Sequence, residues 1–122
     1  MSRIVSIRTE LRDKDILIAC LEHLDCQVLS QESGITMRGA GDPVQILAHA
    51  AFGPIGFRQT QDGRYDVVGD DMLLEGRKDF FNRLTQQYAY RKIVNDAKNA
   101  GYRLVREEVG EDKTIKLVVR KW

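Results

Sequence analysis

The chain has 122 residues, 43% hydrophobic and 30% charged, with 19 basic against 18 acidic side chains. That is the composition of one soluble globular domain spanning 1–122, large enough to bury roughly two thirds of its unfolded surface without staples. A net charge of +1 argues against a chain built mainly to coat nucleic acid. The apolar runs fall short of the roughly 20 residues of a membrane span, and the N-terminus enters a strand pattern at once without a signal-peptide core; a cytoplasmic protein is expected.

Ile4 to Leu11 reads as a first strand with Val5, Ile7, Thr9 and Leu11 on one face. Asp13 then suits a helix N-cap, and Leu17, Cys20, Leu21 and Leu24 follow at helical spacing as a buried stripe. Gln27–Ser30 and Ile35–Gly39 read as two short strands around Glu32-Ser33-Gly34, followed by a turn over Gly39–Pro43. Val44 to Phe52 fits either a strand (Val44, Ile46, Ala48, Ala50) or a helical stripe, and the alternation favours the strand. Ile55–Thr60 and Tyr65–Gly69 flank Gln61-Asp62-Gly63-Arg64, and Asp-Gly between extended runs signals a hairpin.

A long helix is expected from about Gly76 to Ala100, with Gly101 as the left-handed residue that ends it. At 100° per residue its apolar stripe changes phase. Phe80, Phe81, Leu84 and Tyr88 cluster on one side; Tyr90, Ile93, Val94, Ala97 and Ala100 cluster on nearly the opposite one. Either the helix bends or breaks near Tyr88-Ala89-Tyr90, or its halves bury opposite faces. Tyr102–Val109 and Thr114–Trp122, joined by Gly110-Glu111-Asp112-Lys113, form a closing hairpin in which Ile115, Leu117 and Val119 alternate with Lys116, Val118 and Arg120. The fold class is therefore α+β: a mainly antiparallel sheet of about five to seven strands, one short helix near the start and one long helix before the last hairpin.

The run Gln86-Gln87-Tyr88-Ala89-Tyr90, then Gly101-Tyr102, Glu107-Glu108-Val109, Ile115-Lys116-Leu117 and a closing Trp122, resembles the family of hypothetical chloroplast reading frame thirty-five, also catalogued as domain of unknown function number 1257. Met1-Ser2 before Ile7-Arg8-Thr9, and Ile55-Gly56-Phe57-Arg58 before the Asp-Gly turn, fit the same pattern; the stretch from Ser30 to Gly53 fits least. The resemblance implies a protein of the cytoplasm or stroma, found in plastids, cyanobacteria and other bacteria. The family has no assigned reaction, so no catalytic residue carries over. Its aromatic and glycine pattern reads as packing and backbone geometry.

Candidate sites weigh as follows. His23 and His49 are the only histidines. His23 lies off the first helix's apolar stripe, where exposure is expected, and His49 sits in an apolar run, where a hydrogen-bonded structural role is usual. Cys20 falls on a core stripe, and Cys26 is expected to be more exposed; their spacing fits neither a CxxC pair nor a zinc half-site, so neither a metal nor another cofactor is expected. Asp70, Asp71 and Glu75 could hold a cation, but negative charge before a helix more simply caps it. Gly39-Ala40-Gly41 is too short for a phosphate-binding fingerprint.

Charge is uneven: five acids and one base give −4 from Asp62 to Glu75, and six bases with two acids give +4 from Arg77 to Lys98. Arg83, Gln87, Arg91 and Lys98 make a polar row on the long helix, with Arg83, Arg91 and Lys98 the candidates for an anion or nucleic acid. Phe80, Phe81, Leu84, Tyr88 and Tyr90 are the interface candidates, because one apolar flank exceeds what a single sheet face covers. Val44–Phe52 folding over that flank is the structural alternative. The expectation is thus a non-enzymatic protein-binding or assembly module, its partner another protein or a second copy. An anion or nucleic-acid binder follows. An enzyme built from scattered residues such as Asp70, Asp71, His49 and Tyr90 stands last.

Overall fold

A computed structural model describes residues 3–109 and 115–121. Met1, Ser2, the turn expected at Gly110–Lys113, Thr114 and Trp122 lie outside the described residues. Strand β1 (Ile4–Arg8) leads through helix α1 (Lys14–His23) to strands β2 (Gln27–Ile35), β3 (Val44–Ala50), β4 (Gly53–Gln59) and β5 (Tyr65–Asp70). Helices α2 (Asp71–Leu74) and α3 (Lys78–Asn99) follow, and β6 (Tyr102–Val109) and β7 (Ile115–Lys121) close the chain. The first five strands form one antiparallel sheet in the order β1-β5-β4-β3-β2, and β6 with β7 forms a separate antiparallel pair. The architecture is α+β, with the strands divided between two sheets.

Local chemistry explains the boundaries. β1 stops at Arg8 rather than Leu11 because the Thr9 hydroxyl accepts the Leu11 amide at 3.1 Å and donates to the Tyr65 carbonyl at 2.5 Å. That exchange turns the chain out of the ladder. Asp13 caps α1 by accepting the Ile16 amide at 3.1 Å. The helix ends in a Schellman arrangement: Cys26 N–H donates to Leu21 C=O and Asp25 N–H to Glu22 C=O, each at 3.0 Å. Asp25 supplies the left-handed residue at φ 64°.

The two strands expected around Gly34 are one strand, β2, with a register shift between Ser30 and Ile35. The exposed polar run Gln31-Glu32-Ser33 needs no burial, so the ladder tolerates an irregularity there. Ile35–Gly39 is not a second strand. The chain after Ile35 crosses the back of the sheet, where Met37, Val44, Leu47 and Val68 form a small cluster with Ile4, Ile35 and Ala40. A Cβ on Gly56 would sit 2.8 Å from Val44 and 2.9 Å from the Met37 sulfur, so this contact requires glycine. Arg58 fastens the crossing segment, donating to the carbonyls of Asp42 (2.7 Å), Pro43 (3.2 Å) and Ala40 (3.3 Å).

The main core lies on the opposite face. Val67, Tyr65, Phe57, Ile55, Ile46 and Ala48 of the sheet meet Leu17, Cys20 and Leu21 of α1 and Leu84 and Tyr88 of α3. Each large apolar side chain so enclosed contributes about 1.5–3 kcal/mol. The long helix expected from about Gly76 to Ala100 is α3, and Gly76 at φ 76° separates it from the short α2 that precedes it. α3 then runs unbroken to Asn99, so its phase change is met without a break. Its first half faces the main core, and α3 also packs against β6 and β7. Gly101 ends it at φ 86°.

Candidate functional site

The family-like run around Tyr88 is structural. The Tyr88 hydroxyl accepts the amides of Asp13 at 2.8 Å and Arg12 at 3.1 Å, tying α3 to the start of α1. Asp13 is the N-cap of α1 and Arg12 precedes it, so the tie fixes the chain at the start of that helix. Phe80 packs edge-on against Phe52 (5.2 Å, 81°) and against Phe81 (5.3 Å, 90°), and the Arg77 guanidinium lies 4.7 Å from the Phe52 ring centre. Such pairs add about 0.5–1.5 kcal/mol beyond the area they bury.

The five interface candidates are not one surface. Leu84 (1% exposed) and Tyr88 (9%) lie in the core, and Phe80 and Phe81 are partly buried against it. The main sheet itself covers this flank. Val44–Phe52 takes part in that cover as the strand β3, whose Ile46 and Ala48 share the core cluster with Leu84 and Tyr88, and Phe52 beyond its end meets Phe80. Tyr90 turns away from the others, into a shallow groove of about 320 Å³ where Val94 and Arg91 of α3 face Ile16 and Ala19 of α1.

What remains accessible is a trough between β1 and α3. One section, about 340 Å³, lies between Ile7 and Val67 on the sheet side and Phe81 and Leu84 on the helix side. The next, about 640 Å³, runs on to Tyr88, Ala89 and Ile93. Thr9, Leu11 and Thr85 line both sections, so the two lie side by side. Ile7 (48% exposed) borders the first and Ile93 (51%) the second. Arg8, Lys78, Lys92 and Glu10 form the polar rim of the trough. The Lys92 ammonium meets Asp96 at 3.3 Å, which pushes its pKa up. Sequence reasoning assigned Ile7 and Ile93 to apolar faces without seeing that both stay open; the exposed edge position of β1 was the missing signal.

The remaining candidates sit apart from this trough. Arg83 and Lys98 are exposed, whereas Arg91 turns into the groove against α1 with its Nε buried, so the basic row is interrupted. Asp70 caps α2 through the amides of Met72 (2.8 Å) and Leu73 (3.4 Å). Asp71 accepts the Arg3 amide at 3.0 Å and pairs with its guanidinium at 3.5 Å. His49 is exposed on β3, not enclosed as its apolar neighbours suggested, because strand alternation turns it outward beside buried Ala48. His23 is exposed as expected. Cys26 is slightly more exposed than Cys20 (6% against 0%) but still buried, since the turn that ends α1 folds it back onto the core. Burial pushes both thiols up, opposed at Cys20 by the Arg91 charge and reinforced at Cys26 by Asp25. Among the described residues no three His, Cys, Asp or Glu side chains converge to hold a metal ion.

Two further polar features stand near the start of α1. In the β4–β5 turn the Asp62 carboxylate accepts from Thr60 and from the buried Arg64 (Nε to Oδ2, 2.6 Å), which hold it well below the usual carboxylate range. A polar cavity of about 450 Å³ lies between Arg12, Lys14, Glu32, Gln45, Gln59 and the buried Tyr65, whose phenol burial pushes up.

No solved structure matches this chain. The chain is 28% identical to "Uncharacterized protein ycf35" of Pyropia yezoensis, over 127 residues that cover all of this chain and 98% of the relative. Proteins with the same name from Guillardia theta (29%) and Cyanophora paradoxa (28%) match over the same shares. The family model described as "Protein of unknown function (DUF1257)" matches residues 20–118, and the chain belongs to that family.

Proposed function

We propose that this protein is a non-enzymatic protein-binding or assembly module whose contact surface is the β1–α3 trough. The observation that carries the reading is two adjoining hollows between β1 and α3, each bordered by a half-exposed isoleucine, Ile7 and Ile93. Exposed apolar patches rimmed by polar residues are characteristic of interaction surfaces. The free, buried cysteines suit the reducing cytoplasmic or stromal setting this reading assumes.

The test is a displayed peptide library panned on the purified chain, with Ile7→Asp and Ile93→Asp as controls and the solution mass measured alongside. Ligands whose affinity drops at least about tenfold (1.4 kcal/mol) in either variant support the reading. Self-association abolished by the same variants assigns the trough to a second copy, which is still a protein partner. Library ligands that bind both variants as tightly as the native chain, or no ligand and no self-association, overturn it.

A further inference from the structure

We propose that the polar cavity beside the start of α1 binds a small, hydroxyl-bearing anion, a carboxylate or a phosphate ester, with Arg12 and Tyr65 as its anchors. The site lies away from the trough and does not depend on the protein-binding reading. Its position comes from the fold. Arg12 and Lys14 flank the N-cap of α1, and Ser30, Gln45, Gln59 and Tyr65 come from the adjacent strands β2, β3, β4 and β5. The enclosed space of about 450 Å³ falls within the range of small-molecule pockets, roughly 300–1,000 Å³. Side chains must do the recognition there. The Arg12 and Asp13 amides are taken by the Tyr88 hydroxyl, and the Ile16 amide by the Asp13 carboxylate.

The hydrogen-bonding groups left over select the ligand. Arg12 Nη1 donates to the Asp62 carbonyl at 2.7 Å, and no carboxylate pairs with this guanidinium among the described residues. Its other N–H groups remain, in the fork geometry that suits an oxyanion. Gln45 uses its side-chain oxygen to accept the Gln59 amide at 2.7 Å, which leaves its N–H donors. Tyr65 is only 2% exposed, lines the cavity, and makes no hydrogen bond through its hydroxyl among the described residues. Burial, then the charges of Asp13, Asp15 and Glu32, push this phenol's pKa up, so it keeps its proton and serves as a donor. A cavity rich in spare donors favours a ligand rich in acceptors.

Charge sets the ligand's size. Lys14 is shared with Glu32 at 3.8 Å, and the Glu32 side chain is 91% exposed. Asp13 and Asp15 add negative charge nearby. A polyanion such as a nucleic-acid strand would meet these carboxylates, whereas one compact anionic group can reach Arg12 alone. Every side chain lining the space carries a polar group, so the body of the ligand should carry hydroxyls rather than apolar groups.

The test titrates the native chain separately with glycerol 3-phosphate, glycerate, glycerol and a single-stranded oligonucleotide, and reads amide chemical shifts by NMR. At least one of the two small anions should shift the Gln59 and Tyr65 amides saturably, and whichever binds more tightly separates phosphate from carboxylate. Arg12→Gln should weaken that binding at least about tenfold and Tyr65→Phe, which keeps the buried ring, at least about threefold. Arg83→Gln, on the exposed face of α3, should leave it unchanged. Absence of saturable shifts with both anions, equal binding of glycerol or tighter binding of the oligonucleotide overturns the proposal. So does native affinity in Arg12→Gln and Tyr65→Phe together, or a loss in Arg83→Gln that matches Arg12→Gln. None of these outcomes bears on the trough, which the peptide library tests by itself.

Discussion

The two halves of α3 carry similar numbers of apolar residues and meet different fates. In the first half, Leu84 and Tyr88 are enclosed by the main sheet and α1, and Phe80 is fixed edge-on to Phe52. In the second, Ile93 is half exposed, and Asn99 and Ala100 lie open. The helix is continuous across the change. The difference therefore comes from what lies opposite each half rather than from helix propensity or composition. A five-stranded sheet gives the first half a broad apolar face. The second half passes the end of that sheet, and its neighbours there are the α1 surface and the β6–β7 pair.

Four substitutions can break or sharpen this contrast. Leu84→Ala should be the most damaging, at about 2–5 kcal/mol in denaturant unfolding, because a core cavity adds to the lost transfer energy. A cost below about 1 kcal/mol would mean that the first half is not the anchored one. Tyr88→Phe keeps the ring and removes the acceptor for the Arg12 and Asp13 amides; a loss of about 1–3 kcal/mol is expected, with faster exchange of those two amides. An unchanged exchange rate at both would remove the tie between α3 and α1.

Gly101→Ala forces a side chain into a left-handed conformation at the end of α3, for about 1–2 kcal/mol. If the second half is only loosely held, the cost should show as local fraying there, with faster exchange in the last helical turn and a thermal midpoint little changed. A full midpoint shift would show that both halves unfold as one unit. Ile93→Asp should stay within about 0.5 kcal/mol of the native stability while weakening any trough ligand. A large destabilisation would show that Ile93 is part of the core and does not border an open hollow.

Much of the fold was legible because local chemistry and hydrophobic period agree. Asp13 as cap, the Asp-Gly turn before β5, the strand reading of Val44–Ala50 and Gly101 after α3 all rest on interactions within a few residues of chain. The errors fall where a distant contact decides. Thr9 leaves the ladder because of Tyr65, far along the sequence. Ile35–Gly39 reads as a short strand in the sequence, yet the residues after Ile35 cross the back of the sheet over Gly56 and are held by Arg58. Cys26 is buried by the turn before it, and His49 is exposed by the pleat of a strand whose neighbours are buried. The site was less legible than the fold. The α3 residues Phe80, Phe81, Leu84 and Tyr88 looked like surplus surface, and of these Leu84 and Tyr88 are buried in the core while Phe80 and Phe81 are partly covered.

The sequence by itself determined where most of the strands and helices would form, since backbone capping, glycine turns and apolar period act over short range. It also determined that α3 has two apolar flanks. Only the tertiary structure decided which flank is buried, which strand becomes an open edge, and that Ile7 and Ile93 border adjoining hollows. Those outcomes depend on sheet order and on where the sheet ends, and both are set by pairings between residues far apart in the chain.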